Sequence, residues 1–276
     1  MRVEFTKMHG VGNDFVVFEA PVPDSLLTPQ RLRALADRRT GIGFDQALLL
    51  EPPRGTHSAA YYRIFNADGA EVEQCGNGAR CIAALLARRG LAPDGALTLE
   101  SPAGLIRARL AADGEVSVDL GVPDFDPRSL PFDAPAERES YTLELEGESV
   151  EIGAVSLGNP HAVLTVDSVE SAPLERLGPR IERHARFPKG VNTGVLEIVA
   201  PDRVRLRVYE RGAGETRSCG TGACAAVAIA RRRGRVAAEV RVQVRGGELR
   251  VNWAGAGEHI WLSGAAQTSF QGHVEV

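Results

Sequence analysis

The stretch Cys75-Gly-Asn-Gly-Ala-Arg-Cys81 returns as Cys219-Gly-Thr-Gly-Ala-Cys224, so this chain carries one motif twice. In each copy a cysteine directly precedes Gly-x-Gly, and the chain then runs into an apolar, arginine-tailed helix, Ile82 to Arg89 and Ala225 to Arg233. Gly90 and Gly234 follow as left-handed caps. The two leading cysteines stand 144 positions apart, and the spacing is kept elsewhere. Gly12-Asn13 and Gly158-Asn159 are 146 apart, as are Gln46 and Asn192. Gly104-Leu-Ile-Arg107 matches Gly247-Glu-Leu-Arg250 at an offset of 143, and Gly114-Glu115 matches Gly257-Glu258 at the same offset. Only small insertions are needed, which predicts two homologous domains. A rough two-fold between them would face the two helix N-termini, and their thiols, across one cleft.

With 276 residues there is enough chain for two cores, and 43% apolar with 25% charged residues is the composition of a soluble globular protein. A formal net charge of −4 gives no reason to expect a nucleic-acid partner. The densest basic run, Arg231-Arg-Arg233, closes a helix, where cations meet the dipole favourably. No signal peptide and no bilayer-spanning stretch is legible, so a cytoplasmic protein with four reduced cysteines is expected.

Strands are predicted at 3–8, 15–19, 47–50, 60–65 and within 97–120, with a helix from Pro29 through Arg39. Residues 122–140 carry Pro123, Pro127, Pro131 and Pro135 without periodicity, which makes them the best candidate for an interdomain linker. Beyond it strands are predicted at 141–146, 149–157, 161–166, 193–199, 203–209, 239–245, 248–253 and 258–263, with a helix around 174–184.

A thiol directly before a helix lies over its unsatisfied N–H groups, where the dipole favours thiolate. The glycines let backbone amides approach an anion closely. Cys75 and Cys219 are therefore candidate acid/base groups, whereas Cys81 and Cys224, inside the helices and unequally spaced, read as core packing. C-x5-C and C-x4-C lack the tight pairs of structural zinc sites, so no metal is expected. No third glycine or distal acid supports a dinucleotide fingerprint. Lys7 and Lys189 are the only lysines, and neither stands in a phosphate-cradling context, which leaves a pyridoxal Schiff base few places to form. At the cysteine offset Asn66 falls on Glu210 and Ala67 on Arg211, an asymmetry suited to specificity: Arg211 can grip a carboxylate and Glu210 can accept from an ammonium.

Lys7-Met-His-Gly-Val-Gly-Asn-Asp-Phe15, Phe65-Asn-Ala-Asp-Gly69, Glu71 through Cys81, Gly158-Asn-Pro-His161, Glu210-Arg-Gly-Ala-Gly-Glu-Thr216 and Ser218 through Cys224 together resemble the diaminopimelate epimerase family. The resemblance covers nearly the whole chain and departs at 122–140 and in the tail Ser263 to Phe270. It implies an α+β fold of two pseudo-symmetric domains, each a mixed β-sheet curled around a central helix, over 1–121 and 122–263, with 264–276 returning to the first. It implies a homodimer that interconverts LL- and meso-2,6-diaminopimelate for lysine and peptidoglycan precursors, without a cofactor. By resemblance, Asn13, Gln46, Asn66, Asn159, Asn192 and Arg211 hold a long zwitterionic substrate, and His161 and Glu210 assist at the reacting centre. His9, His57, His184, His259 and His273 have no such context and read as structural.

Epimerising an amino acid means removing a weakly acidic Cα proton and returning one on the opposite face, which two thiols on opposite faces do without turning the substrate over. The substrate α-carboxylate would receive amides near Gly76-Asn77 and Gly220-Thr221, where charge grows as Cα–H breaks. A proline-type racemase, a thiol-free isomerase on the same fold and a redox or metal-binding protein are the rival readings. The two cysteines exclude the thiol-free branch, and Glu210-Arg211 argues for a second zwitterionic end on the substrate.

Overall fold

The computed structural model describes residues 1–72 and 75–276; Glu73 and Gln74 of the first cysteine motif lie outside the described residues. The chain divides into two compact units, Met1–Val118 with Gly264–Val276, and Asp119–Ser263.

In the first unit, β1 (Arg2–Gly10), β2 (Asn13–Glu19), α1 (Pro29–Ala36), β3 (Gln46–Glu51), β4 (Ala60–Asn66) and β5 (Glu71–Val72) lead into α2 (Gly76–Arg88). β6 (Ala96–Ser101), β7 (Gly104–Leu110) and β8 (Val116–Asp119) follow. The second unit runs β9 (Tyr141–Leu145), β10 (Glu148–Ser156), β11 (Pro160–Thr165), α3 (Leu174–Glu182), β12 (Asn192–Ala200), β13 (Arg203–Glu210) and β14 (Gly214–Thr216). It closes with α4 (Gly220–Arg232), β15 (Glu239–Val244), β16 (Gly247–Asn252) and β17 (Trp261–Gly264). The last strand, β18 (Gln267–Glu275), pairs antiparallel with β1 and so belongs to the first unit.

The duplication is exact in its strand senses. β1–β2, β3–β4, β6–β7 and β7–β8 are antiparallel, while β2–β3 and β4–β6 are parallel. β10–β11, β12–β13, β15–β16 and β16–β17 are antiparallel, while β11–β12 and β13–β15 are parallel. A parallel pair needs a crossover, and here a helix supplies each: α1 and α3 for the first parallel pair, α2 and α4 for the second.

α2 and α4 are the central helices. α4 touches β10, β11, β12, β13 and β16, so the sheet curls around it, and α2 packs on β1, β6 and β7. A helix enclosed on nearly all sides must be built of small residues, and Gly-Thr-Gly-Ala-Cys-Ala-Ala is such a run. The strand opposite also has to yield: a Cβ on Gly153 of β10 would stand 2.4 Å from Ile229 Cγ2 of α4. Both helices end as their glycines predict. Gly90 and Gly234 take φ of 78° and 67°, and Leu91 and Arg235 donate back to Leu86 and Ala230 at 3.2 and 2.9 Å.

Three expectations need correction. Residues 122–140 are not a linker: Leu130 and Phe132 are buried in the core of the second unit, where Phe132 stacks on Phe187 at 4.4 Å between ring centroids. Prolines hid apolar anchors that have no period because the segment is neither helix nor strand. The first helix stops at Ala36 and does not reach Arg39, because the Asp37 side chain accepts from the N–H groups of Arg39 and Thr40 at 2.8 and 2.7 Å and turns the chain. The central helices begin at Gly76 and Gly220, six and five residues before the apolar runs at Ile82 and Ala225, since the Gly-x-Gly stretch is itself helical.

Candidate active site

The β1–β2 turn is two residues long, with φ of 53° at Val11 and 82° at Gly12. Both angles suit a tight hairpin turn, but the left-handed region is strained for a β-branched residue. The turn delivers Asn13 as the first residue of β2. Gln46 opens the parallel neighbour β3, and Asn66 closes β4 directly opposite it, so all three meet at one end of the sheet. Gln46 Nε2 donates to Asn66 Oδ1 at 2.9 Å. The chain arrives there again at Cys75, the N-cap of α2, whose sulfur accepts from Gly78 N at 3.5 Å. Cys75 Sγ lies 3.9 Å from Asn13 Oδ1, and Asn77 Nδ2 donates to the same oxygen at 3.3 Å. The fully buried Arg80 holds Asn77 from behind, Nη2 to Oδ1 at 2.8 Å.

The second unit repeats the arrangement with different side chains. Gly158 (φ 86°) precedes Asn159, Pro160 opens β11, and His161 pairs in register with Asn192, the first residue of β12. Glu210 ends β13, and β14 leads toward Cys219, the N-cap of α4. His161 Nε2 lies 3.1 Å from Asn159 Oδ1 and 3.0 Å from Thr221 Oγ1, and Asn159 Nδ2 donates to Thr221 Oγ1 at 3.3 Å. Thr221 Oγ1 lies 3.7 Å from Cys219 Sγ. Asn192 Oδ1 accepts from Arg211 N at 2.9 Å, and Arg211 Nη1 donates to Lys189 O at 2.9 Å. Thr216 donates to Glu210 Oε1. Each candidate residue thus sits with its own half of the set, Asn13, Gln46, Asn66, Cys75, Gly76 and Asn77 in one unit and Asn159, His161, Asn192, Glu210, Arg211, Cys219, Gly220 and Thr221 in the other.

The expectation of a helix-lowered thiol does not hold for Cys219. Burial pushes this thiol well above its ordinary value, and the charge of Glu210 and a hydrogen bond to it push the same way. Thr221 and the Gly222 N–H oppose the shift and lose. His161, 1% exposed, is pushed down to about 3 by burial, with the positive charge of Arg211 adding to it, so it is neutral at pH 7. Cys81 and Cys224 are fully buried, and burial raises the Cys81 thiol to about 12.

One group escaped the sequence reading. Asp14 and Asp45 meet the remote Lys7 and Arg38: Arg38 bonds both carboxyl oxygens of Asp14 at 3.0 and 2.8 Å and Asp45 Oδ1 at 2.7 Å, while Lys7 bonds Asp14 and the Gly43 carbonyl. Burial opposes ionisation of Asp14, yet the bonds from Arg38 and Lys7 and their charges hold its carboxyl well below the usual range. Two acids flanking Asn13 and Gln46 were the available signal. Among the described residues no group of three or more His, Cys, Asp or Glu could hold a metal ion, and no helix is long and apolar enough to cross a membrane.

The family model for diaminopimelate epimerase matches residues 5–125 and 153–269. The chain belongs to the diaminopimelate epimerase family. It is 52% identical to the diaminopimelate epimerase of Alkalilimnicola ehrlichii over 278 residues, and 52% identical to that of Thioalkalivibrio sulfidiphilus over 278, covering 100% of both chains in each case. The solved structure of a hydroxyproline epimerase from Agrobacterium vitis superposes with a TM-score of 0.71 over 99% of this chain and 92% of that one, at 21% identity, which shows a shared fold. The motif segments that gave the resemblance, from Lys7 to Cys224, all lie inside the two stretches that the family model covers.

Proposed function

We propose that this chain interconverts LL- and meso-2,6-diaminopimelate in lysine and peptidoglycan precursor synthesis, with Cys75 and Cys219 as its two acid/base groups and no cofactor. The observation that carries this is the cysteine N-cap at the start of a central helix in each unit, each with polar side chains of its own unit beside the sulfur. One sulfur, as thiolate, takes the Cα proton; the other, as thiol, returns one to the opposite face, and the two exchange states with each turnover. The N–H groups of Gly76, Asn77, Gly220 and Thr221 take the α-carboxylate and stabilise the charge that spreads into it as the proton leaves.

Glu210 links binding to thiol chemistry. Its carboxylate helps keep Cys219 protonated in the free protein. A substrate ammonium bound at Glu210 offsets that charge and lets the thiol ionise more readily. His161, neutral and buried, holds Asn159 and Thr221 beside the sulfur. Arg211 binds the distal carboxylate, with Asn13, Gln46, Asn66, Asn159 and Asn192 along the substrate. The working form is a cytoplasmic homodimer; the exposed Phe270 on β18 supports an apolar contact there.

The test is turnover of synthetic LL-diaminopimelate by purified, chelator-treated protein under reductant, followed by separation of the stereoisomers. Conversion to the meso form is expected. No conversion, or turnover of proline or lysine with comparable efficiency, would overturn the substrate assignment.

A further inference from the structure

The direction of the Asn13 amide is set by charge. Its Nδ2 donates to Asp45 Oδ2 at 2.9 Å, and a carboxylate paired with Arg38 can only accept. The amide oxygen is therefore turned the other way, onto Asn77 Nδ2 and Cys75 Sγ. Asp45 is anchored in turn: its Oδ2 accepts from Asp14 N and its own N donates to Asp14 Oδ1, both at 3.1 Å. At the repeat offset of 146, Asp45 falls on Val191, an apolar residue of 0% exposure, so the device belongs to the Cys75 half alone.

We propose that Asp45 is a positioning residue for Cys75: by fixing the Asn13 amide with its oxygen toward the sulfur, it keeps an acceptor against the S–H and withholds a donor from the thiolate. The inference rests on the reading of Cys75 as an acid/base group. A partial negative charge 3.9 Å from sulfur favours the S–H form and works against the Gly78 N–H, which donates to the same sulfur at 3.5 Å. Among the described residues, the titratable or charged groups set about Cys75 include the buried Tyr62 of β4 and Cys81 and Arg80 of α2, all left in place by a change at Asp45.

Asp45→Asn is close to isosteric but can offer the Asn13 amide either a donor or an acceptor. The amide then loses its fixed direction and can turn its NH₂ to the sulfur. Cys75 in substrate-free protein should react with iodoacetamide about 3- to 10-fold faster at pH 7, read by peptide mapping, and kcat/KM should fall by a similar factor. In an Asn13→Ala background the same change at Asp45 should add nothing to either measurement. Arg38→Gln removes the ion pair yet leaves the Asp45–Asn13 bond; it should lower the melting temperature and leave Cys75 alkylation at the native rate. If circular dichroism shows Asp45→Asn unfolded, Asp45→Ser takes its place with the same expectation. An unchanged alkylation rate, or effects of Asn13→Ala and Asp45→Asn that simply add, overturns the proposal. A native protein that does not turn over diaminopimelate would instead bring down the catalytic reading, while the alkylation results would still decide the role of Asp45.

Discussion

Asn13 and Asn159 hold the same place in the two units and present their amides in opposite senses. The Asn13 oxygen accepts from Asn77, two residues into the first central helix motif, whereas the Asn159 NH₂ donates to Thr221, two residues into the second. Asp45 sets the first orientation; in the second the Asn159 oxygen is met by His161. Strand pairing was duplicated unchanged while the polar groups around the two thiols diverged, as a substrate with one reacting and one distal stereocentre would require.

Cys75→Ser and Cys219→Ser should each lower epimerase turnover by roughly 10²-fold or more, because a hydroxyl stays protonated at neutral pH and one face of the proton transfer is lost. Cys81→Ala and Cys224→Ala should leave turnover near native and lower stability modestly. Full activity in either serine variant would sink the two-base assignment.

Arg211→Ala should lower kcat/KM on LL-diaminopimelate by about 2–5 kcal/mol of transition-state binding, since a substrate carboxylate would be left unpaired. Steady-state kinetics with the native protein alongside settle this; native efficiency in the variant would remove Arg211 from the distal site.

His161 should make the fold acid-sensitive. Its folded value of about 3 lies below the unfolded histidine value of about 6.5. Between the two the unfolded chain binds more protons, so this contribution is full above pH 6.5 and drains away as pH falls toward 3. Between pH 6.5 and 4.5 ordinary carboxylates stay mostly ionised, and His161 should account for about 2 kcal/mol of lost stability. Urea midpoints for the native protein and His161→Gln should show the flatter slope in the variant. Parallel slopes would contradict a buried, neutral histidine.

Gly153→Ala should cost about 1–3 kcal/mol, because its new methyl would meet Ile229 Cγ2 at 2.4 Å. Ile229→Ala removes that methyl and should make the double variant more stable than the sum of the single losses, while Ile229→Val, which keeps Cγ2, should not. Thermal melts of the native protein, the three single variants and the two double variants give the coupling, and strict additivity with Ile229→Ala would argue against the close approach of β10 and α4.

Phe132→Ala tests whether 122–140 is core. The ring is 5% exposed, stacked on Phe187 and edge-on to Tyr141 at 4.8 Å, so the loss should be about 3–5 kcal/mol. A linker residue would give a change within about 0.5 kcal/mol.

Much of this protein was legible before any coordinates. The two Cys-Gly-x-Gly stretches, the 146-residue spacing of Asn13 with Asn159 and Gln46 with Asn192, and the caps at Gly90 and Gly234 are local patterns, and local patterns survive in a linear string. From them came the duplication and both central helices, while the polar residues about each thiol were named from the family resemblance. Tertiary structure alone decided what depends on distance through space. Lys7 and Arg38 converge on Asp14 and Asp45 only once β1, β2 and β3 are laid side by side, so the direction of the Asn13 amide could not be read from its neighbours in sequence. Phe132 and Leu130 are core because Phe187 lies 55 residues beyond Phe132 in the chain and against it in space. The same reason governs Cys219: its position before a helix argued for an easily ionised thiol, but burial and the facing carboxylate of Glu210 outweigh the helix and hold the proton on.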